Sequence, residues 1–147
     1  MKKWQFYLLS FTWGLPMTLI GCLVALVLLF AGYQPKRFGW CWYFDIGKNW
    51  GGLELGVFFL KCKNGTYPLM CHEHGHALQN TLFGVFMPFV VCIPSAARYW
   101  YREYLQRVKG VKHSDLPDYD SIWFEGQASR IGGAFMKKME RGNQHVA

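Results

Sequence analysis

Met70-Cys71-His72-Glu73-His74-Gly75-His76-Ala77-Leu78 is the stretch around which the rest of the chain can be arranged. It contains His-Glu-x-x-His as His72, Glu73 and His76. On a helix, residues four apart stand one turn above each other, so His72 and His76 can share one metal ion. Glu73 lies a little over a quarter-turn round, within reach of a water on that metal but outside the coordination sphere. Zinc lowers the pKa of a bound water towards neutrality, and a nearby carboxylate can then act as general base. The plain alternative is a helix whose histidines are only surface or satisfied core groups. A matching element further along the chain weighs against it.

The composition is that of one domain with a modest core, at 147 residues. Apolar residues make up 52% and charged residues only 17%, leaner in charge than an ordinary soluble domain. Aromatic residues reach 18%, with Trp and Tyr beside apolar runs, as in chains that sit at a lipid–water boundary. The formal net charge of +7 suits anionic lipid, and no nucleic-acid-binding module is visible. The five cysteines, Cys22, Cys41, Cys62, Cys71 and Cys92, form no CxxC pair, so neither a disulfide framework nor a cysteine-based zinc site is expected. Cys41 and Cys62 flank a predicted hairpin and would pair only in an oxidising compartment.

Residues 4 to 33 carry no formal charge, enough at about 1.5 Å per residue to cross roughly 30 Å of hydrocarbon with some tilt. The run is long for a signal peptide and ends in the poor cleavage site Phe30-Ala31-Gly32-Tyr33, so residues 1 to 34 are expected to be a retained transmembrane anchor kinked at Pro16. Residues 38–46 and 53–60 are aromatic and β-prone, with turn residues at 47–52 between them, and predict a β-hairpin. Pro68 suits the first turn of a helix that carries the metal motif, bends at Pro88 and ends at Pro94-Ser95. There the chain is expected to reverse into an amphipathic helix from Ala96 to Val108, whose Arg98, Arg102 and Arg107 form a solvated or headgroup-facing stripe. A polar loop over 110–120 leads to a last helix from about Ser121 to Met139, with a frayed tail from Arg141.

That last helix carries Trp123-Phe124-Glu125-Gly126-Gln127-Ala128-Ser129-Arg130-Ile131-Gly132. A His-Glu-x-x-His helix followed by a helix of the form Glu-x-x-Ala-Asp-x-x-Gly resembles the gluzincin metallopeptidases, in particular the membrane-bound CAAX-prenyl-protease and heat-shock-protease branch. The resemblance covers the two motif helices, about a quarter of the chain. It implies Glu125 as third zinc ligand beside His72 and His76, with Glu73 as the base. One position departs: the Asp four residues after the ligand Glu is Ser129 here, a hydroxyl that can bond an imidazole without adding charge. Asp118 or Asp120 is a candidate to supply that charge from the preceding loop. The chain also resembles small bacterial membrane proteins of no established activity that share the Asn-Trp-Gly-Gly, His-Glu-x-Gly-His and Trp-Phe-Glu-Gly-Gln stretches.

Other residues attract weaker expectations. His74 is two positions from each ligand and points away from the metal face. Gly75 allows a neighbouring backbone to approach closely. His113 and Tyr119 are candidates to stabilise an oxyanion, although loop polarity explains both, and Cys71 is expected to be packing.

The expectation is therefore an α+β, mainly helical membrane protein: an anchor (1–34) and a zinc-metallopeptidase-like domain (35–147) in the bacterial cytoplasmic membrane. The resemblance implies peptide substrates held in extended form along an edge strand, for which Leu53, Glu54, Leu55, Gly56 and Val57 are the candidates. Two alternatives stand. A site-two-type intramembrane protease would use an Asp as third ligand, and a non-catalytic membrane protein would keep zinc for folding alone.

Overall fold

The computed structural model describes residues 1–144. The chain is α+β and mainly helical, with a small four-stranded sheet. Its elements are α1 (Lys3–Phe11), α2 (Leu15–Phe30), β1 (Lys36–Phe38), β2 (Cys41–Asp45), β3 (Gly52–Leu55), β4 (Phe58–Lys61), α3 (Tyr67–Phe83), α4 (Ile93–Arg107) and α5 (Trp123–Gln144).

The expected N-terminal span is two helices at 89°, and no single described helix is long and apolar enough to cross a membrane. The break falls at Thr12–Gly14, where Thr12 Oγ1 donates to the Leu8 carbonyl and Pro16 begins the next helix with a missing N–H. A tertiary contact holds it: Asn80 Nδ2 donates to the Gly14 carbonyl at 3.2 Å, and Trp13 Nε1 donates to the Leu82 carbonyl at 3.3 Å. Both partners lie on α3. Nor are these helices an appendage to the domain. Phe6 is fully buried with Cys41, Val57, Phe59 and Ala77, while Met17 packs with Leu55, Met87, Val91 and Phe124.

The sheet also departs from the expected single hairpin. Two strands become four, in the order β1-β2-β4-β3, because Gly39 and Gly56 each open a two-residue turn at positive φ (58° and 73°). Leu53 to Leu60 is thus not one strand: Leu53, Glu54 and Leu55 lie in β3, and Gly56 and Val57 form the turn to β4. The segment 46–51 is a loop that carries β3 past β4, so β4 pairs parallel with β2 and antiparallel with β3. The parallel register sets Asp45 against Lys61, whose side chains pair at 2.6 Å. β3 is left as an edge.

After α3 the reversal comes earlier than Pro94. The helix ends at Gly84, with φ at 56°, and the path turns through 114° before Pro88. Gly84 is the position with the required freedom, whereas Pro94 sits harmlessly in the first turn of α4. No residue of α4 is fully buried. Its arginines are not a free stripe: Arg98 donates to the Asp118 carbonyl (2.6 Å) and Ser121 Oγ (2.8 Å), and Arg102 donates to the Pro117 carbonyl. Both guanidinium groups face the Tyr119 ring, and Arg107 pairs with Glu103 at 2.7 Å. Helix α5 begins two residues later than expected and continues to Gln144; residues 145–147 of the expected frayed tail lie outside the described residues.

Candidate metal centre

Helices α3 and α5 approach until backbone touches backbone. A Cβ on Gly75 would strike the Ala128 carbonyl, and one on Gly132 would strike the Cys71 carbonyl. That approach brings Glu125, fully buried near the start of α5, onto the histidine face of α3. Glu125 Oε2 lies 3.1 Å from both His72 Nε2 and His76 Nε2, and the two imidazole nitrogens are 3.0 Å apart. Four ligands at about 2.0–2.1 Å from a tetrahedral zinc stand roughly 3.3 Å from one another. The three donors therefore form one face of such a tetrahedron with slight contraction.

The outer ring nitrogens settle which atoms face inward. His76 Nδ1 is 2.8 Å from Gln79 Oε1, and Gln79 Nε2 donates to the Phe124 carbonyl and Gln127 Oε1, both at 2.8 Å. With the amide oriented by two acceptors, its oxygen must accept from His76 Nδ1–H, which leaves the His76 Nε2 lone pair pointing at the centre. His72 Nδ1 is 2.8 Å from Ser129 Oγ. Lone pairs of two imidazoles and a carboxylate facing one another repel without a proton or a cation between them. Without a metal, burial lowers His76 while its hydrogen bond to Glu125 raises it, and the carboxylates win, taking it up to about 9. Burial would raise Glu125, but the bonds from His72 and His76 hold it far below the usual carboxylate range. The donor set fits a divalent metal with one position open.

Glu73 is buried beside this centre, and burial pushes its carboxyl up despite the two neighbouring imidazoles. A side chain at Gly52 would collide with the Glu73 carboxylate, so the start of β3 lies directly over it. His72, Glu73, His76 and Glu125 open into a cavity of about 960 Å³ that β3, the inner face of α4 and the loop 113–120 complete.

Several expectations fall elsewhere. The side chains of Asp118 and Asp120 do not reach either histidine; Asp118 offers its carbonyl to Arg98, and the Asp120 carbonyl lies against Gly126. His74 does point away from the metal face, as expected, and is a core residue, fully buried, stacked on Phe135 at 4.5 Å and accepting from the Trp40 N–H. Burial lowers it to about 4. Tyr119 stands 6.4 Å from the His72 ring, with its hydroxyl 3.1 Å from Ser95 Oγ, and His113 lines the cavity. All five cysteines are free thiols. Residues not foreseen are Gln79 and Gln127, whereas Glu54, expected on the substrate strand, is buried on the cavity wall. The amides of Gln79 and Asn80 inside an otherwise apolar run were the available signal.

Comparison with known families, curated proteins and solved structures yields no match.

Proposed function

We propose that the chain is a membrane-associated zinc peptidase that hydrolyses peptide bonds. The observation that carries this is the convergence of His72 Nε2, His76 Nε2 and Glu125 Oε2 within 3.1 Å, with a buried carboxylate, Glu73, beside them and an edge strand above. His72, His76 and Glu125 would hold zinc, which when bound acts as a Lewis acid on water and on the scissile carbonyl. Ser129 and Gln79 keep both imidazoles in the ligating orientation. Glu73, raised by burial towards the working range of a base, takes a proton from the attacking water onto a carboxylate oxygen. It returns that proton to the departing amine as the C–N bond breaks. Substrate backbone pairs with the free edge of β3 at Leu53 to Leu55.

Membrane association is supported by what the fold leaves outside. Leu19, Leu23, Leu26 and Val27 of α2 are each at least half exposed, Phe30 is 85% exposed, and Leu82, Phe86, Phe89 and Ile93 continue the apolar surface around the α3–α4 turn. Contiguous apolar surface on this scale marks a partner, and a lipid surface matches the aromatic borders at Trp4, Trp13 and Trp100. The resemblance of its sequence to small bacterial membrane proteins supports the cytoplasmic membrane as the surface it binds.

Glu125, rather than Asp118 or Asp120, in the third position favours this reading over a site-two-type protease. A zinc site kept for folding alone is separated by one experiment. Glu73→Gln is expected to retain one zinc per chain and lose peptide hydrolysis by more than a hundredfold. Zinc retained with activity unchanged would leave the structural role; no zinc in the unaltered chain would end the proposal. Co-flotation with anionic vesicles, lost when Leu23, Val27 and Phe30 are all changed to Ser, tests the membrane part.

A further inference from the structure

The chain has nine carboxylate side chains and a net charge of +7, yet Glu54, Glu73, Glu103, Asp118, Asp120 and Glu125 all line the one cavity. Glu73 and Glu125 belong to the metal centre. Glu103 is paired with Arg107 at 2.7 Å, and Arg102, the arginine on the wall, is turned to the Pro117 carbonyl. Glu54 stands apart from these. It is only 4% exposed, its Oε1 accepts from the Gly56 N–H, and its Oε2 has no hydrogen-bond partner. Among the described residues no Lys or Arg is paired with it. A carboxylate taken out of water this completely is costly unless a cation or donors meet it.

Its place on β3 relates it to the chemistry. Alternate residues of a strand share a face, so Glu54 projects to the same side as Gly52, which lies over Glu73. Two residues of strand are about 7 Å. Resting on the peptidase reading, we propose that Glu54 is the recognition carboxylate for a primary ammonium group of the substrate, bound about one to two residues from the scissile bond. The vacant acceptor Oε2 takes the ammonium N–H, and the acidic wall of Asp118 and Asp120 repels anionic peptides from the same cavity. An α-amine and a lysine side chain present the same ammonium, and the two require different pairs of probes.

The test uses the full chain carrying Glu73→Gln, loaded with zinc in lipid nanodiscs and titrated calorimetrically. Leucinamide is compared with N-acetyl-leucinamide, and N-acetyl-lysinamide with N-acetyl-norleucinamide. One ammonium probe is expected to bind at least tenfold more tightly than its uncharged counterpart. The first pair discriminating assigns an N-terminal amine, the second a lysine. Adding Glu54→Gln, which keeps the acceptor for Gly56, should abolish the discrimination and change affinity for the uncharged probe less than twofold. Equal affinities within both pairs would overturn the proposal without recourse to any Glu54 variant, as would discrimination that survives Glu54→Gln and Glu54→Met. Failure of the underlying reading is visible separately: loss of zinc stoichiometry with Glu54-dependent discrimination intact would remove the peptidase and keep the ammonium site.

Discussion

Replacing Gln79 with Leu tests the centre at its least obvious support. The side chain is fully buried and makes three hydrogen bonds of 2.8 Å, to His76 Nδ1, the Phe124 carbonyl and Gln127 Oε1. Leu has nearly the same volume, so the change removes polarity rather than packing. Two buried groups lose their partner, the His76 Nδ1–H and the Phe124 carbonyl, at about 1–3 kcal/mol each. Half-buried Gln127 can turn towards solvent. Loss of a partner that orients a metal-binding histidine typically costs about 10–100-fold in affinity. Zinc affinity of Gln79→Leu, measured by competition with a chromophoric chelator, should fall within that range, together with a loss of about 2–6 kcal/mol in stability. Gln127→Ala serves as the control, since it leaves His76 and Phe124 served and should change zinc affinity less than threefold. Equal affinities for Gln79→Leu and the unaltered chain would show that His76 does not depend on this amide for its tautomer.

Three further outcomes follow from other contacts. Ser129→Asp should tighten zinc binding, because a carboxylate opposite His72 Nδ1 raises ligand basicity and the half-buried position has room; Asp118→Asn and Asp120→Asn should leave chelator competition unchanged, and the reverse pattern would reassign the charge. Gly75→Ala drives a methyl into the Ala128 carbonyl and should cost about 1–3 kcal/mol in chemical unfolding while also weakening zinc binding; a neutral result would mean the helices can separate freely. Asp45→Asn leaves Lys61, 7% exposed, without its 2.6 Å partner and should lose about 1–3 kcal/mol at pH 7, with exposed Lys36 adding little. Burial works to raise Asp45, but the bonds and charges of Lys36 and Lys61 outweigh it and hold the carboxyl low. The stabilisation is therefore complete above the unfolded value of about 3.9 and disappears as pH falls through the folded one. The gap in thermal unfolding between the two proteins should begin to narrow as pH falls through about 3.9 and close only below the lower folded value, and a gap that does not narrow at all would remove the ion pair as its cause.

The motif helices were legible because their information is local. A four-residue repeat of His72 and His76 fixes one face of one helix, and Glu125 was found through a resemblance carried by a short motif. Gly75 was legible as a close approach for the same reason. What escaped was set by partners distant in the chain. The break at Thr12–Gly14 depends on Asn80, 66 residues away, and nothing between Trp4 and Tyr33 signals an 89° turn more strongly than Gly14 and Pro16 do. Gly39 and Gly56 each stand inside a β-prone run, where an isolated Gly fits strand interior and a turn at positive φ equally well. Parallel pairing of β2 with β4 cannot be read from alternation, which is the same for either direction. The role of Gln79 is not legible because a polar residue in an apolar run shows only that it needs a partner, and the burial of Glu54, expected only as part of a substrate strand, is hidden for the same reason.

The packing of Phe6 and Met17 into the two halves of the core has a practical consequence for anyone handling this molecule. A fragment starting at residue 35, the obvious way to obtain a detergent-free sample, would lose the ring that covers Cys41, Val57, Phe59 and Ala77 and the side chain that abuts Leu55, Met87 and Phe124. Truncating a buried Phe alone costs about 3–5 kcal/mol, a large part of what holds a domain of this size together. It would also strip Asn80 and the Leu82 carbonyl of their partners one turn beyond His76. The N-terminal helices are better regarded as a clamp on the helix that carries His72 and His76 than as a leash, and the candidate metal centre should be studied with them attached.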